Sequence, residues 1–263
     1  MLISSKVING LQGCVKIPGD KSISHRSIII PSISKGISEI SNLLISDDVL
    51  HTINAMIAMG VKINTFDDKI IIHGNGLNSL KKPLKDIYLG NSGTSARILT
   101  GLLSAQNFKC TLTGDASLSS RPMKRITTPI ELMGGKFEHK NGTMPLHIYG
   151  KELEPISYKI PIPSAQVKSG IILAALNTKG QTIIKETSIT RDHTEIMLQS
   201  FGANIAIKKE NGLNSIFVNG KQELTSKNIN VPCDLSSSSF FIVAAMINKN
   251  SNLKLQNINI NPT

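Results

Sequence analysis

One pattern recurs along this chain. GDKSISHRSIIIPSI begins at Gly19, GNSGTSARILTGLLSA at Gly90, IPSAQVKSGIILAAL at Ile162 and PCDLSSSSFFIVAAMI at Pro232. Each is a polar, hydroxyl-rich loop that runs directly into an apolar helix containing Ala, Gly or Ser. The spacing is about 70 residues each time, which marks an internal repeat. A repeat restricts the fold severely, because no unit can bury its apolar face without its neighbours.

A second feature keeps the same period. SDDVLHTINAMIAMGVKI, SSRPMKRITTPIELMGGKFE and TRDHTEIMLQSFGANIAI each read as an amphipathic helix that ends at Gly and leads into a strand. In the first, Val49, Ile53, Met56 and Ile57 recur at helical spacing, and Gly60 closes the helix. Ser46, Asp47 or Asp48 can cap its start. In the third, Asp192 and Glu195 have capping-box spacing, and Gly202 ends the helix. Short β-rich runs such as KIIIHG, KCTLTG, QTIIKE and SIFVNG lie between. One unit is therefore strand, loop, helix, strand, loop, helix and two strands, a βαβαββ module of an α/β fold with its helices packed inside. The chain carries three such units. A fourth opens at about Pro232 and stops at NPT before its second helix, so a further segment is expected downstream.

The chain has 263 residues, 40% of them hydrophobic, which suits one large or two ordinary domains with real cores. Cys14, Cys110 and Cys233 lie far apart with no CxxC pair. That argues against a disulfide framework or a metal site and for a reducing, cytoplasmic compartment, with the cysteines as small apolar filler. No run approaches the roughly 18 uninterrupted apolar residues of a membrane helix. The opening stretch MLISSKVINGLQGCVKIPG has strand character rather than that of a signal peptide. The formal charge of +11 is compatible with nucleic acid, a membrane surface or small anions. The absence of Trp, the few aromatics and the scattered lysines argue against nucleic acid.

The loops then acquire a meaning. A helix N-terminus presents free N–H groups and a partial positive charge, and added hydroxyls and cations make it an anion site. The first loop offers Lys21, Ser22, Ser24 and Arg26. The second offers Asn91, Ser92, Thr94 and Arg97 around Gly90 and Gly93. The third offers Ser164, Gln166, Lys168 and Ser169, while Arg121 and Arg191 stand near the starts of helices of the second type. If the repeats pack about a pseudo-axis, these starts converge on a substrate with phosphates or carboxylates. For any single loop, helix-capping serines and solvated lysines explain the residues as well. Recurrence at one period favours a shared site.

PGDKSISHR, GNSGT, GDASLSSRPM, SAQVKSGIILAAL, TRDHTEIMLQSFGA and the final NPT resemble, in order along the whole chain, the 5-enolpyruvylshikimate-3-phosphate synthase family. The SAQVKS and TRDHTE forms resemble the subgroup that includes glyphosate-tolerant bacterial enzymes. The resemblance implies an enolpyruvyl transferase-like fold of inside-out α/β repeats. One complete three-repeat lobe would span residues 20–231. A truncated second lobe would comprise residues 1–19 and 232–263. It also implies transfer of the enolpyruvyl group of phosphoenolpyruvate to the 5-hydroxyl of shikimate 3-phosphate, with release of phosphate and without metal or organic cofactor. The product would feed chorismate and aromatic amino acid synthesis, and the full-length enzyme would be a monomer.

Residue by residue, the resemblance implies that Lys21 is catalytic and touches both substrates. Ser22, Arg26, Ser164, Ala165, Gln166 and Arg191 would hold shikimate 3-phosphate. Asn91, Gly93, Arg121 and Gln166 would hold phosphoenolpyruvate. Ala at the Gly93 position goes with glyphosate tolerance in the family, so a complete enzyme with Gly93 is expected to be inhibited. The family's proton-transferring Asp and Glu, its further arginines and a second Lys have no counterpart here, so this chain alone is expected to be inactive. Three other readings follow: a non-catalytic shikimate 3-phosphate-binding lobe or half of a split enzyme, the sister transferase acting on UDP-N-acetylglucosamine, and a basic nucleic-acid module. The second calls for a reactive Cys in a Gly-rich loop, whereas Cys110 lies in a strand-like run. His25 and His193 read as polar residues at helix starts, and Asp47, Asp48 and Asp192 as caps.

Overall fold

The computed structural model describes residues 9–263; the first eight residues of the expected N-terminal strand lie outside the described residues. The chain runs β1 (Gln12–Val15), α1 (Lys21–Ser32), β2 (Lys35–Ser41), α2 (Asp47–Ala58), β3 (Lys62–Thr65) and β4 (Lys69–Asn75). It continues through β5 (Ile87–Tyr88), α3 (Gly93–Ser104), β6 (Lys109–Thr113), α4 (Ala116–Ser119), α5 (Lys124–Leu132), β7 (Lys136–Lys140) and β8 (Thr143–Tyr149). The third unit is β9 (Ser157–Lys159), α6 (Ala165–Ala175), β10 (Gln181–Lys185), α7 (His193–Ser200), β11 (Ile205–Glu210) and β12 (Leu213–Asn219). Last come β13 (Ile229–Asn230), α8 (Leu235–Ile247) and β14 (Asn252–Leu255).

Three four-stranded sheets form, in the orders β13-β2-β4-β3, β5-β6-β8-β7 and β9-β10-β12-β11. In each, the first strand runs parallel to the second and the other pairs are antiparallel. The alternation in β4 and β8 explains their single buried face: Ile70 and Ile72, then Met144, Leu146 and Ile148, point inward, as the two-residue period requires. The first sheet takes its parallel strand from β13, where Ile229 pairs with Ile40. The strand that precedes α1 in sequence goes elsewhere, because β1 pairs with β14. The two connections run side by side: Asp20 N donates to Pro232 O at 2.7 Å, and Asp234 N to Pro18 O at 2.9 Å.

The helices lie inside. Ile23 to Ser32 of α1, Ile98 to Ser104 of α3 and Val167 to Ala175 of α6 are buried on every face, which fits helices without an amphipathic stripe. The α3 and α6 backbones touch at Gly101 and Gly170. A Cβ on Gly101 would collide with the Gly170 carbonyl, and one on Gly170 would stand 2.7 Å from the Arg97 carbonyl. Glycine is needed on both sides of this crossing. In α8, by contrast, Phe240, Phe241 and Val243 are exposed.

Two local expectations change. Asp192 precedes α7 but makes no capping bond; its Oδ1 accepts from Asn261 Nδ2 at 2.6 Å, while Glu195 turns inward to Lys168. The capping box is therefore not formed. Cys14 is exposed rather than filler, whereas Cys110 and Cys233 are buried.

Candidate functional site

Side-chain caps fix where the polar loops end. Asp20 Oδ1 accepts from Ile23 N at 2.9 Å at the start of α1. Ser92 caps α3 and Ser164 caps α6 by accepting from Ser95 N and Val167 N. Each cap satisfies one of the free N–H groups that begin a helix and leaves others facing the loop.

A cleft of about 360 Å³ opens among the starts of α1, α3, α6 and α7, lined by residues that include Ser22, Arg26, Ser164, Ala165, Gln166 and Arg191. Six of the seven residues that the sequence assigns to shikimate 3-phosphate therefore line one cleft; the seventh, Lys21, does not line it. Arg26 is buried beneath it. Its Nε donates to Thr194 Oγ1 at 2.6 Å, Nη1 to Ser22 O at 2.7 Å and Nη2 to Ser169 Oγ at 2.7 Å. Burial lowers its pKa to about 10, opposed chiefly by Glu195 and Asp20, so the group is cationic at neutral pH. Arg191 is exposed at the rim, with Nη1 3.4 Å from Ser22 Oγ. Gln166 is oriented at both ends: Oε1 accepts from Arg97 Nη1 at 3.0 Å and Nε2 donates to Thr94 Oγ1 at 3.0 Å.

Lys21 and Asn91 line a separate cavity of about 410 Å³ with Asp48, His51 and Asp115. Lys21 forms an ion pair there with Asp48. Gly93 and Arg121 line neither cavity. They meet beside Arg97, where a Cβ on Gly93 would stand 2.7 Å from Arg97 Nη1 and 3.0 Å from Arg121 Nη1. Burial pushes the Arg97 pKa down, and the nearby Arg121 and Arg125 push it further.

The chain's only arginines are Arg26, Arg97, Arg121, Arg125 and Arg191. Among the described residues every ion pair uses a lysine, and no arginine has a carboxylate at ion-pair distance. Guanidinium groups without a carboxylate at ion-pair distance, close to helix starts, suit bidentate anions.

The family model for EPSP synthase, 3-phosphoshikimate 1-carboxyvinyltransferase, matches residues 6–263. The chain belongs to the EPSP synthase family. A 3-phosphoshikimate 1-carboxyvinyltransferase from Ruthia magnifica subsp. Calyptogena magnifica is 49% identical over 259 residues, which is 98% of this chain and 59% of the relative. One from Oenococcus oeni is 47% identical over 263 residues, 99% of this chain and 59% of the relative. An EPSP synthase structure from Acinetobacter baumannii superimposes with a TM-score of 0.89 at 44% identity, covering 96% of this chain and 57% of that one. The chain thus spans a little under three fifths of the length of these EPSP synthases, and its α/β fold is theirs.

Other residues take places that loop patterns alone do not give. Lys168, grouped by sequence with the third anion loop, is fully buried and pairs with Glu186 at 3.0 Å and Glu195 at 2.7 Å; it is withdrawn from the cleft. A lysine inside an otherwise apolar helix face was the available signal. Ser169 and Thr194 serve Arg26 from two other elements. His193, at the first position of α7, lines the cleft, and burial, then Arg26, lowers its pKa. His25 is buried with Nδ1 2.8 Å from Thr52 Oγ1, and burial, then Arg26, lowers its pKa to about 3; it cannot act as a cation for substrate at neutral pH. Cys110 sits in β6, and burial, then Asp86, pushes its thiol up to about 12, which makes it inert as a nucleophile.

Proposed function

We propose that the cleft between α1, α6 and α7 binds shikimate 3-phosphate. In this reading Arg26, Ser22, Ser164, Ala165, Gln166 and Arg191 hold the ligand, and Lys21, Asn91, Gly93 and Arg121 flank the position of phosphoenolpyruvate. The reaction is the one the family name describes: carboxyvinyl transfer from phosphoenolpyruvate to the 5-hydroxyl of shikimate 3-phosphate, with loss of phosphate. The division into a lobe of residues 20–231 and a second lobe formed by 1–19 and 232–263 belongs to the same reading, as does a monomeric, cytoplasmic enzyme. The observation that carries it is the set of arginines with no carboxylate partner, gathered where helix starts meet.

The chemistry follows from charge. Both substrates are polyanions, so fixed guanidinium groups and helix N–H groups bring them together and stabilise charge that grows as the carboxyvinyl bond forms. Arg26 is pre-oriented by three hydrogen bonds and requires little rearrangement. Lys21 supplies a movable point charge once its pairing with Asp48 is exchanged for substrate.

A binding lobe without turnover is the second reading, favoured by one feature: among the described residues no Asp or Glu lines the cleft. A proton-transfer group would have to approach from elsewhere. The test is phosphate release from phosphoenolpyruvate with and without shikimate 3-phosphate, run beside calorimetric binding. Release that needs both substrates supports transfer. Binding with no release supports the lobe alone, and no binding of shikimate 3-phosphate refutes both.

A further inference from the structure

We infer that Lys168 is a positioning residue: from inside the fold it fixes the segment that carries Thr190 and Arg191 to the cleft, without touching the anion. The inference deepens the shikimate 3-phosphate reading and rests on it for its consequences in binding.

Lys168 lies near the start of α6 and is 0% exposed. Its ammonium has three N–H groups and meets three acceptors: Glu186 Oε1 at 3.0 Å, Glu195 Oε1 at 2.7 Å and the Thr190 carbonyl at 3.2 Å. Each belongs to a different part of the fold. Glu186 stands just beyond β10, Glu195 is on α7, and Thr190 is in the segment between. Glu186 completes the tether, since its Oε1 also accepts from Thr190 N at 3.0 Å and Thr190 Oγ1 at 2.7 Å. Its Oε2 accepts from Asn214 Nδ2 at 3.2 Å, on β12. Thr190 is thereby held at its amide, its hydroxyl and its carbonyl.

Ile189, Thr190 and Arg191 line the cleft. Arg191 itself is exposed, and among the described residues its side chain makes a single, long hydrogen bond, to Ser22. What places its guanidinium is therefore the backbone beside it. The same lysine reaches the other wall through α7, where Glu195 follows Thr194, an acceptor for Arg26. A buried ion cluster is a poor source of net stability, because desolvation offsets the attraction between the charges. Apolar residues of similar volume would pack as well. The geometry here gives direction instead, and one of the three acceptors is a backbone carbonyl next to the residue that faces the ligand.

The test compares wild type, Lys168→Met and the double variant Lys168→Met/Glu195→Gln. Lys168→Met strands two buried carboxylates. The double variant leaves only Glu186, which keeps its bonds from Thr190 and Asn214, so it folds if the single variant does not. Three quantities are read: hydrogen exchange over residues 187–192, thermal stability, and affinity for shikimate 3-phosphate and for inorganic phosphate. Exchange in 187–192 should rise at least tenfold in the double variant, with β6 and β8 unchanged. Its stability should return towards wild type while both affinities stay about tenfold weaker. Unchanged exchange in 187–192 would overturn the inference, as would affinities that recover together with stability. If the segment loosens but wild type binds inorganic phosphate and not shikimate 3-phosphate, the positioning role stands and the substrate reading falls.

Discussion

Arg26 Nε donates to Thr194 Oγ1 at 2.6 Å across 168 residues of sequence. The bond ties the second turn of α1 to the first turn of α7, and Ser169 adds α6 through Nη2. Three helices from two repeats are thus gathered by one guanidinium. Lysine cannot reproduce this, since its donors all leave one nitrogen, whereas these three acceptors are met by three separate nitrogens of a planar fork. Arg26→Lys should weaken shikimate 3-phosphate binding by roughly 10–100-fold and lower stability by about 1–3 kcal/mol through unpaired buried partners. Calorimetry and denaturant unfolding measure the two separately. Unchanged affinity would remove Arg26 from the site.

His25 gives a pH signature. Its pKa is near 3 in the folded chain and ordinary, about 6.5, in the unfolded chain. Below pH 6.5 the unfolded chain takes up a proton that the folded chain refuses, so stability falls as pH drops towards 3 and is flat above 6.5. Between pH 7 and pH 5 this group alone accounts for about 2 kcal/mol. His25→Asn should flatten the profile by that amount, measured as the difference between unfolding free energies at the two pH values. A profile parallel to wild type would contradict the burial argument.

Gly93→Ala places a methyl against the tips of Arg97 and Arg121. Both are flexible ends, so the fold yields and stability should change by less than about 1 kcal/mol. The guanidinium groups must shift, so binding of phosphoenolpyruvate and of glyphosate should weaken more than that of shikimate 3-phosphate, which feels the change only through the Arg97 bond to Gln166. Equal loss for all three ligands would locate Gly93 differently.

Gly101→Ala is the opposite case. The obstruction is the Gly170 backbone, which cannot step aside without separating α3 from α6. A loss of about 3 kcal/mol is expected in thermal or denaturant unfolding, with cleft affinity retained in the folded fraction. A neutral effect would mean that the crossing is looser than described.

The architecture was legible because its signal repeats. Helices at Lys21, Gly93, Ala165 and Leu235 follow the four loops, and glycines such as Gly60 and Gly202 adopt positive φ where helices end. That Ser22, Arg26, Ser164 to Gln166 and Arg191 line one cleft was legible through the family motifs, but the place of Lys21, in a separate cavity with Asp48, was not. Less visible was everything set by distant pairing. The parallel strand at Ile229 belongs with β2 although nearly 190 residues separate Asn230 from Ser41 in sequence. The sequence groups Lys168 with Ser164 and Gln166 because all three stand at the start of α6, yet the helical turn sends its side chain inward to Glu186 and Glu195. Asp192 and Glu195 had capping-box spacing, but Asn261 and Lys168 take them as partners instead. Local spacing cannot reveal which tertiary partner wins.

The most direct measurement is the calorimetric affinity of this chain for shikimate 3-phosphate, compared with that of Arg191→Ala. Arg191 stands exposed at the rim, so its removal should leave the fold intact. The cleft assignment predicts saturable binding by wild type at one site and a loss of roughly tenfold or more in the variant, the scale of one charge-assisted contact. Absence of binding, or equal affinity in both proteins, would contradict it.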